Sequence, residues 1–245
     1  MSRLSINEMT TYRWSFEEDV NHFHAAGINA IGVWRQKLSD FGEEKGIELL
    51  AETGLNVSSI LWAGGFTGSD GRSHRDSIDD ARDAIRLAAA VKADCLVVYS
   101  GSRGGHTHNH ARRLIKGALS ELAPLAGELG VTLAIEPMHK GCAGEWTFLT
   151  SLTDTLELLD AVASPHVKMT FDSYHLGFED AVVEQLPTIA PRVGIVHLGD
   201  AKIPPVGEQN RCRLGDGILP LASIVQQLES AGYDGWFEVE LMGEE

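Results

Sequence analysis

The sequence is poor in cysteine and in basic residues, and each shortage narrows the range of functions. Its 245 residues include only three cysteines, Cys95, Cys142 and Cys212, and none stand in a C-x-x-C spacing. That pattern argues against a disulfide framework or a zinc site built from thiolate pairs, and favours a reducing, cytoplasmic location. The chain has only 20 Lys and Arg residues but 35 Asp and Glu residues, which gives a formal net charge of −15. We therefore expect neither a nucleic acid nor an anionic membrane as a partner.

Long apolar segments and a dinucleotide fingerprint are also lacking. No run approaches the roughly 20 apolar residues of a membrane span, and the opening MSRLSINEMT has no apolar core of a signal peptide. The residues after the first predicted strand, SINEMTTYRW, contain no G-x-G-x-x-G pattern. A doubly wound dinucleotide-binding fold is therefore not indicated.

Short apolar runs alternate with helical patterns along the whole chain. Such alternation predicts parallel strands joined by helices, and a single domain over 1–245 has the size of one (β/α)₈ TIM barrel, about 250 residues. The predicted strands are 4–7, 28–34, 55–62, 95–100, 131–136, 167–172, 193–198 and 236–241. Because so few residues follow the eighth strand, we expect the final outer helix to be absent, which would leave an apolar surface suited to a homo-oligomer.

Acidic and imidazole side chains stand at or near the ends of the last four predicted strands. Glu136 ends VTLAIE, Asp172 ends VKMTFD, His197 lies in VGIVHL and Glu240 lies in WFEVEL. The carboxyl ends of barrel strands meet at one face, so these side chains are expected to converge. Ionised carboxylates that close together require a cation. The donor set suits one divalent metal, Mn²⁺ or Mg²⁺, with Co²⁺ or Zn²⁺ as alternatives.

Five motifs in order carry a resemblance to a known family. They are AIEPMH, FDSYH, VHLGD, RCRLGDG and GYDGWFEVEL. In these the chain resembles the sugar phosphate isomerase/epimerase family of xylose isomerase-like barrels, over nearly its whole length. That group includes tagatose and psicose epimerases and inosose dehydratases, and more distantly endonuclease IV. The resemblance implies that Glu136, Asp172, His197 and Glu240 are metal ligands, and that Glu136 and Glu240 exchange a substrate proton.

The resemblance also implies residues that bind the substrate. His175 matches a contact to a substrate hydroxyl, and Arg211 matches a loop arginine that holds a substrate oxygen, with Arg213 two residues away as the alternative. Asp200, in the His-x-x-Asp step, resembles a position next to the ligands. Glu238 is the alternative to Glu240 as the metal-binding glutamate of the eighth strand, because alternate strand residues point to the same face.

Further candidates rest on position alone. His139 follows Glu136 closely enough to face a substrate or to cap the strand end. Tryptophans after several strands, Trp34 among them, could wall an apolar pocket or simply pack. The histidines of GGHTHNH after the fourth strand have no interleaved carboxylate, so a separate metal site there is not favoured.

Together these features predict a metal-dependent sugar isomerase or epimerase. In that chemistry a metal-stabilised enediolate forms between two glutamates, which remove and return the proton. A lyase that dehydrates a keto sugar could use the same site. An endonuclease IV-like phosphodiesterase would need several metals and a basic cradle, which the charge does not support, and a non-catalytic sugar-binding barrel is the remaining alternative.

Overall fold

The computed structural model describes residues 3–144 and 146–242, and its strands close into one parallel barrel. The barrel order is the chain order, β1 to β8, which confirms the predicted (β/α)₈ architecture. The strands are β1 (Arg3–Asn7), β2 (Ala30–Trp34), β3 (Asn56–Gly64), β4 (Cys95–Tyr99), β5 (Thr132–Ile135), β6 (Val167–Asp172), β7 (Val193–Leu198) and β8 (Trp236–Val239). The barrel closes where β1 pairs with β8.

Helices surround the barrel between successive strands. They are α1 (Phe16–Ala25), α2 (Arg35–Phe41), α3 (Glu43–Thr53), α4 (His74–Ala90), α5 (His108–Leu129), α6 (Lys140–Ala143), α7 (Leu152–Val162), α8 (Ser173–Leu176), α9 (Val182–Ile189) and α10 (Leu221–Ser230). The sequence pattern missed α2, which begins directly after β2 without a side-chain cap. It also missed the single-turn helices α6 and α8, which are too short to show a period.

Local sequence signals explain several of the helix ends. Ser15 caps α1 and forms a capping box in which Ser15 and Glu18 satisfy each other's backbone N–H groups. The helix α3 stops at Gly54, which adopts the left-handed conformation that glycine tolerates best. These caps fix where each chain segment turns back toward the barrel.

The predicted absence of a final outer helix concerns the residues after β8. Of these, the structure describes only 240–242, without helix, and the rest of that prediction lies outside the described residues. Across the described ranges, we find no helix of the length and apolar character that crossing a bilayer requires.

The interior of the barrel holds a buried carboxyl group at its centre. Glu238 on β8 is fully buried, and its oxygens accept hydrogen bonds from Asn7 Nδ2 at 2.7 Å and from Ser59 Oγ at 3.0 Å. Ser5 and Ser58 donate to it as well. Gly32 on β2 makes the space, because a Cβ there would lie 2.4 Å from Glu238 Oε1. The usual apolar packing of a barrel core is thus replaced at this level by a satisfied polar network.

A second buried polar cluster lies beneath the loop after β1. Lys37 Nζ lies 2.6 Å from Asp19 Oδ2, and the neighbouring Glu8 accepts the backbone N–H of Trp34 at 2.6 Å. Burial raises the pKa of Glu8 well above its usual value, and its hydrogen bond with Asp19 adds to that rise. The ammonium group of Lys37 thus pairs with Asp19 and with the backbone oxygen of Glu8, and the fold favours keeping a proton on the Glu8 carboxyl group.

We expect Glu8→Gln to make the free energy of unfolding less sensitive to a rise in pH above about 4.3. The native state holds the proton on Glu8 more tightly than the unfolded chain, whose glutamate has a pKa of about 4.3. Wild-type stability should therefore fall by about 1.4 kcal/mol per pH unit, from this group, as pH rises from that value to the raised native pKa. Urea unfolding of both proteins across that range measures the difference. The exposed Glu17→Gln is the control, and a wild-type-to-variant gap that stays constant with pH would contradict the expectation.

Candidate active site

The barrel brings the four predicted metal ligands together at the carboxyl ends of its strands. One ligand atom from each of Glu136, Asp172, His197 and Glu240 lies within 4.8 Å of the others. Asp172 and His197 pair across β6 and β7, while Glu136 follows β5 and Glu240 follows β8. The long separations in sequence are bridged because neighbouring parallel strands end at one face.

His197 lies at the centre of this cluster. Its Nδ1 is 2.8 Å from Glu240 Oε2 and 3.3 Å from Glu136 Oε1, and its Nε2 is 3.4 Å from Glu238 Oε1. The ring is fully buried, yet neither nitrogen makes a hydrogen bond of acceptable geometry. Buried polar atoms in that condition are uncommon, and a metal between Glu136 and Glu240 would satisfy Nδ1, while Nε2 faces Glu238. The donor set therefore fits a divalent cation.

The pKa shifts show how strongly the cluster favours a central positive charge. Burial lowers the pKa of His197, but the Glu240 charge and the contacts with Glu136 and Glu238 outweigh it and raise the pKa well above its usual value. Burial raises the pKa of Glu136, which His197 offsets only in part. Burial also acts to raise the pKa of Glu240, but the His197 and Arg211 charges prevail and lower it to about 2. A divalent metal would supply the same positive charge without a proton on His197.

Arg211 and His175 join the cluster from the loops that follow β7 and β6. Arg211 is buried; its guanidinium donates to Asp172 Oδ2 at 3.0 Å and stacks over the Tyr174 ring at 4.1 Å. It also approaches Glu240 Oε1 at 3.6 Å. His175 is buried, with its Nε2 3.7 Å from Asp172 Oδ2. Arg211, rather than Arg213, is thus the arginine of this cluster, and the carboxylates orient it.

A small cavity of about 80 Å³ opens over the cluster. Glu136, Glu240 and His175 form its polar side. Its apolar side consists of Met9, Leu61, Trp62, Tyr99, Met138, Trp146 and Met242. Trp34 stacks on Trp62 with ring centroids 6.2 Å apart and so supports this wall from behind. The predicted tryptophan wall is therefore present, formed by Trp62 and Trp146.

Two residues predicted near the substrate, Asp200 and His139, make structural hydrogen bonds. The carboxylate of Asp200 is fully buried and accepts the backbone N–H groups of Ala201, Gly215, Gly217 and Leu219. This engagement fixes the long loop after β7 and corrects the prediction that Asp200 binds substrate. His139 caps α6, where its Nδ1 accepts the Gly141 N–H at 3.1 Å. His139 thus caps the short helix α6 and not the end of β5, and its contact with a substrate stays a prediction.

Sequence reasoning missed two side chains beside the cluster. Glu208 accepts a hydrogen bond from Arg211 at 3.1 Å and lines the cavity. Cys142 in α6 lies close to both Glu208 and His175. Neither stands at the end of an apolar run, so periodicity carried no signal for them. Glu238 was noted only as a rival of Glu240, although Ser5, Asn7, Ser58 and Ser59 on two strands were signs of a buried polar partner.

Comparisons with known proteins find similar sequences and a similar fold. A D-psicose 3-epimerase of Enterocloster bolteae is 31% identical over 118 residues, which are 48% of this chain and 36% of that protein. An inosose dehydratase of Erwinia tasmaniensis is 24% identical over 255 residues, covering 92% of this chain and 82% of that one. A crystal structure of a Sinorhizobium meliloti 1021 protein superposes with a TM-score of 0.90 at 29% identity, covering 99% and 90% of the two chains.

The family model for the xylose isomerase-like TIM barrel matches residues 20–245. That range includes seven of the strands, β2 to β8, and all four residues of the cluster around His197. The chain belongs to the xylose isomerase-like TIM barrel family.

Proposed function

We propose that the protein is a divalent-metal-dependent isomerase or epimerase of a sugar or sugar derivative. The observation that carries the proposal is the pair Glu136 and Glu240, which reach one cavity from β5 and β8 and both contact His197. Two carboxyl groups with differently shifted pKa values suit removal and return of a proton. The relatives named as an epimerase and a dehydratase support the same class of chemistry.

Glu136, Asp172, His197 and Glu240 would hold the metal, with Mn²⁺ or Mg²⁺ favoured and Co²⁺ or Zn²⁺ as alternatives. When bound, it would make the hydrogen next to a substrate carbonyl more acidic. One glutamate removes that proton from carbon, and the other returns a proton to the opposite face for epimerisation. Transfer to the neighbouring carbon gives isomerisation instead.

The remaining side chains position the substrate. Arg211, with several N–H donors, and His175 are suited to hold substrate oxygens near Asp172. Trp62 and Trp146 offer apolar faces to the carbon-bound hydrogens of a sugar. The acidic chain and the small cavity favour a small molecule over nucleic acid or membrane, and the three free cysteines suit the cytoplasm.

The proposal predicts exchange of a substrate hydrogen with solvent. We expect the Mn²⁺-loaded protein in D₂O to place deuterium on the carbon next to the carbonyl of at least one ketose, as followed by NMR across pentuloses, hexuloses and inososes. Metal-stripped protein is the control and should give no exchange. The absence of deuterium at that carbon in every ketose of the panel would count against the proposal.

A dehydratase is the second candidate, and the Erwinia tasmaniensis relative favours it because the match spans most of both chains. Removal of the same proton can be followed by loss of a neighbouring hydroxyl group as water, with the second glutamate protonating the leaving oxygen. Formation of an unsaturated ketone from a cyclic ketose, seen by its ultraviolet absorption, would identify this reaction. Exchange without loss of water would favour the isomerase.

A further inference from the structure

A second cavity adjoins the one over the cluster around His197. Leu61 and Trp62, near the end of β3, line both cavities. The second cavity has a volume of about 290 Å³, and its other lining residues are Trp34, Arg35, Gln36, Ser39, Glu43 and Asp80. They come from the end of β2 and from α2, α3 and α4. The two cavities are therefore neighbours at the mouth of the barrel and share one aromatic side chain.

The volumes of the two cavities favour a ligand that occupies both. The cavity over the cluster has only about 80 Å³, whereas binding sites for small molecules commonly have about 300–1,000 Å³. Adding the second cavity, with its 290 Å³, brings the joint space into that range. A ligand whose reacting part lies over the cluster therefore has room to continue past Trp62 into the second cavity.

Two tryptophans form a flat aromatic surface in the second cavity. The indole rings of Trp34 and Trp62 are tilted by only 14° from each other, and both are partly exposed. The Trp34 backbone N–H donates to Glu8 Oε2 at 2.6 Å, and Arg35 Nη1 donates to the Trp62 carbonyl oxygen at 3.3 Å. These bonds hold both tryptophans before any ligand binds, which lowers the cost of ordering them. Such a surface suits the C–H face of a sugar ring.

The polar lining of the second cavity suits a neutral group better than an anion. Of the described residues that line it, Arg35 alone is basic, and it already pairs with Asp80 at 3.0 Å. Glu43 adds a second carboxylate, so one guanidinium stands against two carboxylates. Gln36, Ser39 and Glu43 are exposed and offer hydrogen-bond donors and acceptors. A phosphate would be repelled here, whereas hydroxyl groups would find partners.

We propose that the second cavity binds a glycosyl group attached to the keto sugar, while the keto sugar itself lies over the cluster around His197. The inference rests on the proposed function and names its substrate class, a ketose that carries a second, neutral sugar unit. The second ring stacks on the surface of Trp34 and Trp62, and its hydroxyl groups bond to Gln36, Ser39 and Glu43. Free monosaccharides and sugar phosphates would use only the cavity over the cluster.

Calorimetric titration of the Mn²⁺-loaded full chain compares a monosaccharide with glycosylated ketoses. The probes are fructose and disaccharides in which fructose carries a second hexose at different hydroxyls: turanose, maltulose, isomaltulose and lactulose. We expect at least one disaccharide to bind about tenfold more tightly than fructose, because the second ring adds stacking and hydrogen bonds. Fructose 6-phosphate should gain no such advantage, since the lining of the second cavity carries more negative than positive charge.

Variants of the second cavity test where the additional affinity arises. Ser39→Trp fills this cavity with a side chain from α2, and it should remove the advantage of the disaccharide over fructose. Glu44→Trp is the matched control, because Glu44 is exposed on α3 and lines neither cavity, and it should keep the advantage. Gln36→Ala should lower the advantage severalfold, which covers the case in which Ser39→Trp does not fold.

The outcomes distinguish this inference from the proposed function. Disaccharides that all bind no more tightly than fructose, or an advantage that persists in Ser39→Trp, would overturn the inference. An advantage of fructose 6-phosphate that Ser39→Trp removes would overturn it as well, because the second cavity would then bind phosphate. A tenfold gain in binding without deuterium exchange in any ketose would support the glycosyl site and count only against the proposed reaction.

Discussion

Replacing Glu136 or Glu240 by glutamine is expected to lower turnover at least about a thousandfold, even at metal concentrations that saturate the protein. Each variant removes a group that takes up or gives a proton, a role that contributes about 10²- to 10⁴-fold in enzymes, and weakens a metal contact as well. Both side chains are largely buried at one cavity, so solvent cannot easily substitute for them. Turnover is measured as deuterium exchange into the accepted ketose.

Asp172→Asn separates metal binding from proton transfer. Asn can still accept the Tyr174 N–H that Asp172 accepts at 2.6 Å, so the start of α8 should be retained. Asp172 has no proposed proton-transfer role. We therefore expect excess metal to restore part of the activity of Asp172→Asn, but not the activity of Glu136→Gln or Glu240→Gln. Glu17→Gln, far from the cavity on α1, should behave as wild type. Full turnover in Glu240→Gln would show that the glutamate pair does not perform the chemistry.

Changing Glu238 is expected to have the second large effect, on stability and on metal affinity together. Glu238→Ala would leave the Asn7 amide and the hydroxyls of Ser5, Ser58 and Ser59 without their shared acceptor. Unsatisfied buried donors cost about 1–3 kcal/mol each before the cavity relaxes, so a loss of about 3 kcal/mol or more in unfolding free energy is expected. Urea denaturation measures it.

Glu238→Gln is the sharper variant, because it keeps the shape and the acceptor oxygen while removing the carboxylate. Carboxylates beneath a ligating imidazole orient the ring and increase its basicity, and their loss typically weakens metal binding about 10- to 100-fold. Competition with a chelator gives the affinity. His197 Nε2 lies 3.4 Å from Glu238 Oε1, so unchanged affinity in a folded Glu238→Gln protein would mean that this contact does not tune the imidazole.

The sequence predicted the barrel and the cluster around His197 because both follow from strand ends. Each of the four residues ends or closely follows an apolar run: Glu136, Asp172, His197 and Glu240. In a closed parallel barrel the carboxyl ends of all strands lie at one face, so these side chains lie close together. The distinction between Glu238 and Glu240 was harder. Strand alternation gives both the same direction, and only the depth along β8 decides that one lies inside the barrel and the other at its mouth.

Residues on irregular segments could not be placed in the same way. Asp200 stands in a motif that favours a role at the metal, but the loop after β7 folds over it and uses its oxygens for four backbone N–H groups. Glu208 and Cys142 lie on segments whose path depends on packing between loops. Glu8, Asp19 and Lys37 form their cluster because α1 and α2 pack side by side, and the spacing of these residues in the sequence gives no sign of it.

The absence of a side chain at Gly32 on β2 makes the size of residue 32 depend on the size of residue 238. Glu238 fills the place that a side chain at residue 32 would need, so neither residue can be enlarged or shortened without consequence for the other. A redesign that seeks an entirely hydrocarbon barrel centre would therefore have to exchange both residues, together with the serines around them, in one step.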